Sequence, residues 1–293
     1  MLATSAMRTL PRRVVHQARG VVLSELLNHV DSGKGRPSVV FVHGLACALE
    51  DWEAQSAALS GRYRCIAVDL PGHGASPANG ALGIRRFGAE LASTLTVLQA
   101  APAVLVGHSM GCRVVLDAAR RLGDAVVGVV LVDGSVRGTG DPQVARNETR
   151  AVIEQAGFAP YIERLFRVMF VNNDDPALRE RVVQRALRLD ASDGTDLISD
   201  LAAWDAAEMA GSLAAQVAPV LVIQSSGVSV DRRRIPLKPG DSTSFVDRIT
   251  AALPNSEVEI ITDIGHFTMH EATTRVNELI GGFCERLGVS GHA

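Results

Sequence analysis

The sequence predicts an α/β fold, a mostly parallel central sheet flanked by helices with a helical segment inserted late in the chain. Seven short β-branched runs alternate with helix-like segments, and most runs are almost continuously apolar, as strands covered on both faces are. The interval from Gly134 to Ala218 then breaks the rhythm, with 85 residues where a crossover needs roughly a dozen or more.

The runs start in order at Val21 (VVLSELL), Ser38 (SVVFVH), Arg64 (RCIAVD), Ala103 (AVLVG), Val126 (VVGVVLVD), Pro219 (PVLVIQ) and Glu257 (EVEIIT), each bounded by turn residues. Helix-like segments cover Ile84 to Gln99, Met110 to Leu122, Ser244 to Leu253 and Glu271 to Leu287. Within the long interval Phe158, Ile162, Leu165 and Met169 recur at helical spacing, Pro176 suits a first helical turn, and an apolar stretch follows from Gly194. Most of that stripe is expected to pack on the sheet, with a few residues facing a cavity beneath. The expected organisation is a flexible leader over 1–20, a core over 21–134 and 214–288, and a helical cap over 135–213.

Composition narrows the function. Apolar residues make up 47% of 293 and charged residues 21%, which excludes disorder, and 29 Lys plus Arg against 32 Asp plus Glu argue against nucleic acid as a partner. No apolar run reaches the roughly 18 residues of a membrane span, so no membrane association is expected. Cys47, Cys65, Cys112 and Cys284 show neither CxxC nor metal-ligand spacing and read as free thiols in a reducing, cytoplasmic compartment. The opening twenty residues carry Arg8, Arg12, Arg13 and Arg19 with no acid before Glu25; they read as a disordered leader, with a transit peptide as the alternative.

The chemistry concentrates around AVLVGHSMGCRVVL. Ser109 stands between Gly107 and Gly111, after an apolar strand and before a helix. A serine at such a tight turn occupies strained backbone, and small residues two before and two after keep the flanking chain clear. The helix beginning near Met110 directs its free N–H groups and positive dipole end to the place where an oxyanion forms. A second donor follows an earlier strand: after His43-Gly44, the Leu45 amide stands beside that of Met110. For the base, His266 follows the last strand directly, and His270 is the second candidate. His16, His29, His73, His108 and His292 lack the location, and the His108 ring is expected to point away from the Ser109 hydroxyl.

With HGLA at His43, DLPGHGAS at Asp69, GHSMG at Gly107 and GHF at Gly265 in this order, the chain resembles the α/β-hydrolase superfamily from about Ser38 to Leu287. The resemblance implies an eight-stranded, mostly parallel sheet, a lid between strands six and seven, and a Ser, acid, His triad. It makes Ser109 the nucleophile, His266 the base and the Leu45 and Met110 amides the oxyanion hole.

The acid is less direct. Most relatives place it after strand seven, where this chain offers only Asp231, set late and followed by Arg232, Arg233 and Arg234. A subset takes it from the end of strand six, which here is Asp133 in VVLVDGS. A carboxylate at the end of an apolar strand is desolvated, as orienting an imidazole requires, so Asp133 is preferred and Asp231 stays the alternative. Asp241 reads as turn chemistry and Asp69 as a structural turn residue.

A serine nucleophile implies acyl transfer. The expected reaction is hydrolysis of a small carboxylic ester, thioester or lactone with an apolar part, needing neither metal nor organic cofactor. The alternatives are a carbon–carbon bond hydrolase and a slow-turnover ligand receptor keeping the triad. The basic run Arg232 to Arg234 with Lys238 reads first as a solvated loop and second as a reception site for an acidic substrate.

Overall fold

The computed structural model describes residues 26–171, 175–229 and 234–288. Its strands are β1 (His29–Ser32), β2 (Ser38–Val42), β3 (Arg64–Val68), β4 (Ala103–His108), β5 (Val126–Val132), β6 (Val220–Gln224), β7 (Ser226–Val228), β8 (Arg234–Pro236) and β9 (Glu257–Ile260). Seven form one sheet in the order β1-β3-β2-β4-β5-β6-β9, while β7 and β8 form a separate hairpin. Only β1 runs antiparallel in the main sheet; every other pairing there is parallel. β2 is buried along its whole length, as are β4 and β6, which is why their sequences do not alternate. Burying each Val, Leu or Ile side chain contributes about 1.5–3 kcal/mol.

Among the described residues the main sheet has seven strands, one fewer than the resemblance implies. The run proposed at Val21 lies mostly outside the described residues, and its last two residues, Leu26 and Leu27, are loop. The first observed strand, His29–Ser32, escapes a hydrophobic reading because it is a polar edge strand, HVDS.

Helices cover the faces: α1 (Glu53–Leu59), α2 (Ile84–Val97), α3 (Met110–Leu122), then between β5 and β6 α4 (Pro142–Ala156), α5 (Phe158–Arg167), α6 (Pro176–Ala186), α7 (Ala191–Ala207) and α8 (Met209–Ala214), and finally α9 (Ser244–Ala252), α10 (Thr268–Glu271) and α11 (Thr273–Arg286). α4, α6 and α7 each start at an aspartate, Asp141, Asp175 and Asp190, whose carboxylate accepts first-turn amides. α7 is tied to the core by a buried pair: Arg113 of α3 donates through Nε and Nη2 to the two Asp205 oxygens, each at 2.7 Å.

Register places the site. Val42, Gly107, Leu131, Val222 and Val258 form one row across five strands. Two residues beyond that row, at the carboxyl edge of the sheet, stand Gly44, Ser109, Asp133 and Gln224. The turn between β4 and α3 leaves no room for a side chain two residues before or two residues after Ser109. A Cβ on Gly107 would lie 2.4 Å from the Gly111 carbonyl oxygen, and one on Gly111 would lie 2.5 Å from that of Val42. Gly111→Ala should therefore cost about 1–3 kcal/mol of stability and displace Ser109, a change read by thermal unfolding beside turnover.

Candidate active site

Ser109 has φ 54 and ψ −110, a region that side chains other than glycine avoid, and its amide is fixed to the Val132 carbonyl at 2.9 Å. This bend holds the hydroxyl outside both strand and helix, partly exposed. Ser109 Oγ lies 2.8 Å from His266 Nε2, and His266 Nδ1 lies 3.0 Å from Asp133 Oδ2. The structure thus brings Ser109, His266 and Asp133 together.

Asp133 also has positive φ, 48°, and is wholly buried at the end of β5. Its Oδ1 accepts from Gln224 Nε2 at 2.6 Å and from the Ser226 amide at 3.2 Å, and its Oδ2 lies 2.9 Å from the hydroxyls of both Ser225 and Ser226. Burial alone would raise its pKa. The adjacent His266 and the hydrogen-bond donors outweigh burial and hold the carboxyl below its ordinary value, so it is ionised. An ionised Asp133 fixes the proton of neutral His266 on Nδ1 and leaves the Nε2 lone pair to Ser109.

The loop bearing His266 has nearly every backbone group engaged. The Gly265 and Phe267 amides donate to the Glu271 carboxylate at 2.9 and 3.2 Å, and the His266 amide donates to the Met169 carbonyl at 2.8 Å. That carbonyl follows α5, so the inserted segment helps hold the histidine, and Phe170 stacks on Phe267 with centroids 4.8 Å apart. From below, His108 Nε2 donates to the His266 carbonyl at 2.8 Å. His108 thus orients the neighbouring histidine loop.

His270, the second candidate base, belongs to another cluster: its Nε2 is 3.1 Å from Asp51 Oδ1, while Arg185 of α6 donates to Asp51 Oδ2 at 2.6 Å. Asp69 ties turns, accepting from Asn28 Nδ2 and from the Leu49 and Ala75 amides, and Asp241 accepts from the Lys238 amide. Asp231 lies outside the described residues, as do Arg232, Arg233, His16 and His292.

The Leu45 and Met110 amides donate to no acceptor among the described residues. Gly44, just before Leu45, is pressed against the bend: a Cβ there would stand 3.3 Å from the Ser109 Cβ. His43 shapes this loop, its Nε2 accepting from the Leu70 amide at 3.0 Å and its Nδ1 lying 2.7 Å from the Gly44 carbonyl oxygen. A cleft of about 1,270 Å³ opens between α6 and the residues following Leu45, with His270 on its wall; Ser109, Asp133 and His266 are not among its lining residues.

Four buried histidines are held below the ordinary imidazole value, His73 among them. Burial lowers His43 to about 3 and His108 to about 4; burial and then the Arg234 charge lower His266 to about 3 against the pull of Asp133. In the unfolded chain each takes a proton near pH 6.5. Below that pH the unfolded state binds more protons, so stability should fall as pH drops from about 6.5 towards 4. Denaturant midpoints at pH 7, 5.5 and 4.5 check this, and a flat profile would contradict it.

The seven-stranded sheet, the serine at the bend and the imidazole facing it are together those of an α/β hydrolase. The chain belongs to the alpha/beta hydrolase family, whose model matches residues 39–279. It is 36% identical over 109 residues to 2-(acetamidomethylene)succinate hydrolase of Mesorhizobium japonicum, covering 36% of this chain and 38% of that protein. Pimeloyl-[acyl-carrier protein] methyl ester esterase of Methylococcus capsulatus is 34% identical over 111 residues, 38% of this chain and 42% of that protein. These matches span less than half of either relative. Among solved structures, a thermophilic esterase from Thermogutta terrifontis superposes with a TM-score of 0.72 at 24% identity, covering 89% of this chain and 93% of that one. The enol-lactonase from Burkholderia xenovorans LB400 gives 0.70 at 21%, covering 88% and 95%. No helix among the described residues is long and apolar enough to cross a membrane.

Proposed function

We propose that the chain is a serine hydrolase that cleaves a small carboxylic ester, thioester or lactone with an apolar part through an acyl-enzyme. The observation that carries this is the line Ser109 Oγ, His266 Nε2, His266 Nδ1, Asp133 Oδ2, with steps of 2.8 and 3.0 Å across one imidazole. Relatives named as esterase and hydrolase support the reading.

In this mechanism Oγ attacks the carbonyl carbon while its proton passes to His266 Nε2, and the carbonyl π pair moves onto oxygen. The Leu45 and Met110 amides receive that oxyanion; losing one such donor costs about 2.7–4 kcal/mol. The intermediate collapses, the leaving oxygen or sulfur takes the proton from Nε2, and the acyl group stays on Oγ. Water then repeats the attack, with the same imidazole as base. The helices between β5 and β6 act as the cap. Every proton transfer is made by these side chains, so the reaction so written calls for no metal or organic cofactor.

Incubation with a fluorophosphonate and with a p-nitrophenyl ester tests the proposal. The expected result is labelling of Ser109 together with a burst and continuing release of p-nitrophenol. Labelling without steady-state turnover would favour a receptor, and selective cleavage of a vinylogous diketone would favour the carbon–carbon hydrolase.

A further inference from the structure

Arg234 opens β8, opposite Val228 of β7, and its guanidinium reaches back over the sheet edge. Nη1 lies 3.3 Å from Ser226 Oγ and Nη2 lies 3.4 Å from His266 Nε2. Both contacts sit at the long limit of hydrogen bonding, and a guanidinium has five N–H donors to satisfy. No carboxylate among the described residues pairs with it. Asp133 is close enough to be felt as a charge, but its oxygens are taken by His266, Gln224 and the two serine hydroxyls. Burial lowers the Arg234 pKa to about 10, leaving the group cationic at neutral pH.

Among the described residues this partly exposed cation therefore has long, neutral partners and stands beside the atoms that react. Nη2 and Ser109 Oγ, being 3.4 Å and 2.8 Å from the shared Nε2, lie within 6.2 Å of each other. Nε2 is also the atom that hands its proton to the departing oxygen, so the leaving group comes to the atom that Arg234 approaches. Resting on the serine-hydrolase reading above, we propose that Arg234 receives a carboxylate carried by the leaving-group part of the substrate, about two or three bonds beyond the scissile ester oxygen.

The arrangement has a second consequence. While unpaired, Arg234 donates towards the same lone pair that Ser109 needs and opposes the positive charge that His266 acquires. A substrate carboxylate draws off the donor and cancels the charge, so anionic substrates prepare their own base.

The test compares acetylsalicylate, whose carboxylate is next to the leaving oxygen, with its neutral methyl ester and with monophenyl succinate, whose carboxylate is on the acyl part. Each rate is corrected for hydrolysis in buffer. The wild type should favour acetylsalicylate over its methyl ester by about 10- to 100-fold in kcat/KM. Arg234→Gln should erase the preference, with the neutral ester gaining a few-fold because Nε2 is relieved, and Arg234→Lys should keep part of it. Independently of turnover, salicylate should protect Ser109 from a fluorophosphonate in the wild type and not in Arg234→Gln. A preference that survives Arg234→Gln, an equal loss on both esters, a preference confined to monophenyl succinate, or protection persisting in the variant would each overturn the proposal. Absence of any labelling at Ser109 would instead overturn the serine-hydrolase reading beneath it.

Discussion

Ser109→Ala should abolish ester turnover and fluorophosphonate labelling while leaving the fold in place. In hydrolases built on a serine, histidine and carboxylate acting as a unit, losing the nucleophile costs on the order of 10⁶ in kcat, and a comparable loss is expected here. Alanine keeps the Cβ already present at φ 54 and removes only an oxygen that is partly open to solvent, so backbone strain is unchanged. The melting temperature should stay within a few degrees of the wild type. The imidazole would remain at its post, held by Asp133, the Met169 carbonyl and His108, and would still lack anything to activate. Burst kinetics with a p-nitrophenyl ester and mass spectrometry of the probe-treated protein give the answer. Labelling that persisted at another serine would move the nucleophile elsewhere.

The parts of this site that could be read from the sequence are those whose chemistry is encoded within a few consecutive residues. Ser109 announces itself because Gly107 and Gly111 are needed where backbone carbonyls crowd both sides of one bend. Asp133 is legible because β5 is apolar up to Val132 and then stops at a carboxylate. The groups holding these residues are another matter. Gln224, Ser225, Glu271, His108 and the Met169 carbonyl reach the site only through sheet register and the packing of α5, and each looks locally like an ordinary polar residue or plain backbone. Arg234 illustrates the point most sharply. In a run of three arginines it reads as part of a solvated loop, yet hairpin pairing with β7 turns it towards His266. Helix α4 was within reach, since Asp141-Pro142 repeats the start signal of Asp175-Pro176, but its sequence lacks the large apolar residues, Phe158, Ile162 and Leu165, that mark α5.

Asp133→Asn should reduce turnover by about 10⁴-fold while removing little volume, and it separates the orienting role of the carboxylate from simple filling of space. An asparagine oxygen can still accept from Gln224 Nε2 and the Ser226 amide, but the amide nitrogen placed against His266 is a donor. It would force the imidazole proton from Nδ1 to Nε2, where it points at Ser109 and leaves no lone pair to accept the hydroxyl proton. The substitution also removes the negative charge that faces His266, so the imidazolium formed on attack loses its support and Arg234 opposes it unbalanced. The loss should therefore fall on kcat with KM little changed, because the charge matters in the transition state more than in the ground state. Asp133→Ala should be worse for the fold, leaving the Ser226 amide and hydroxyl buried without an acceptor at about 1–3 kcal/mol each, while Gln224 keeps the Gly134 and Ser226 carbonyls and Ser225 keeps the Gly265 carbonyl. Asp231→Asn provides the contrast: a large loss there, with Asp133→Asn fully active, would transfer the acid's role to the loop before β8. The expected ordering follows from burial, since a carboxylate works on an imidazole through low dielectric and fixed geometry, and Asp133, wholly buried with six neighbouring donors besides His266, has both.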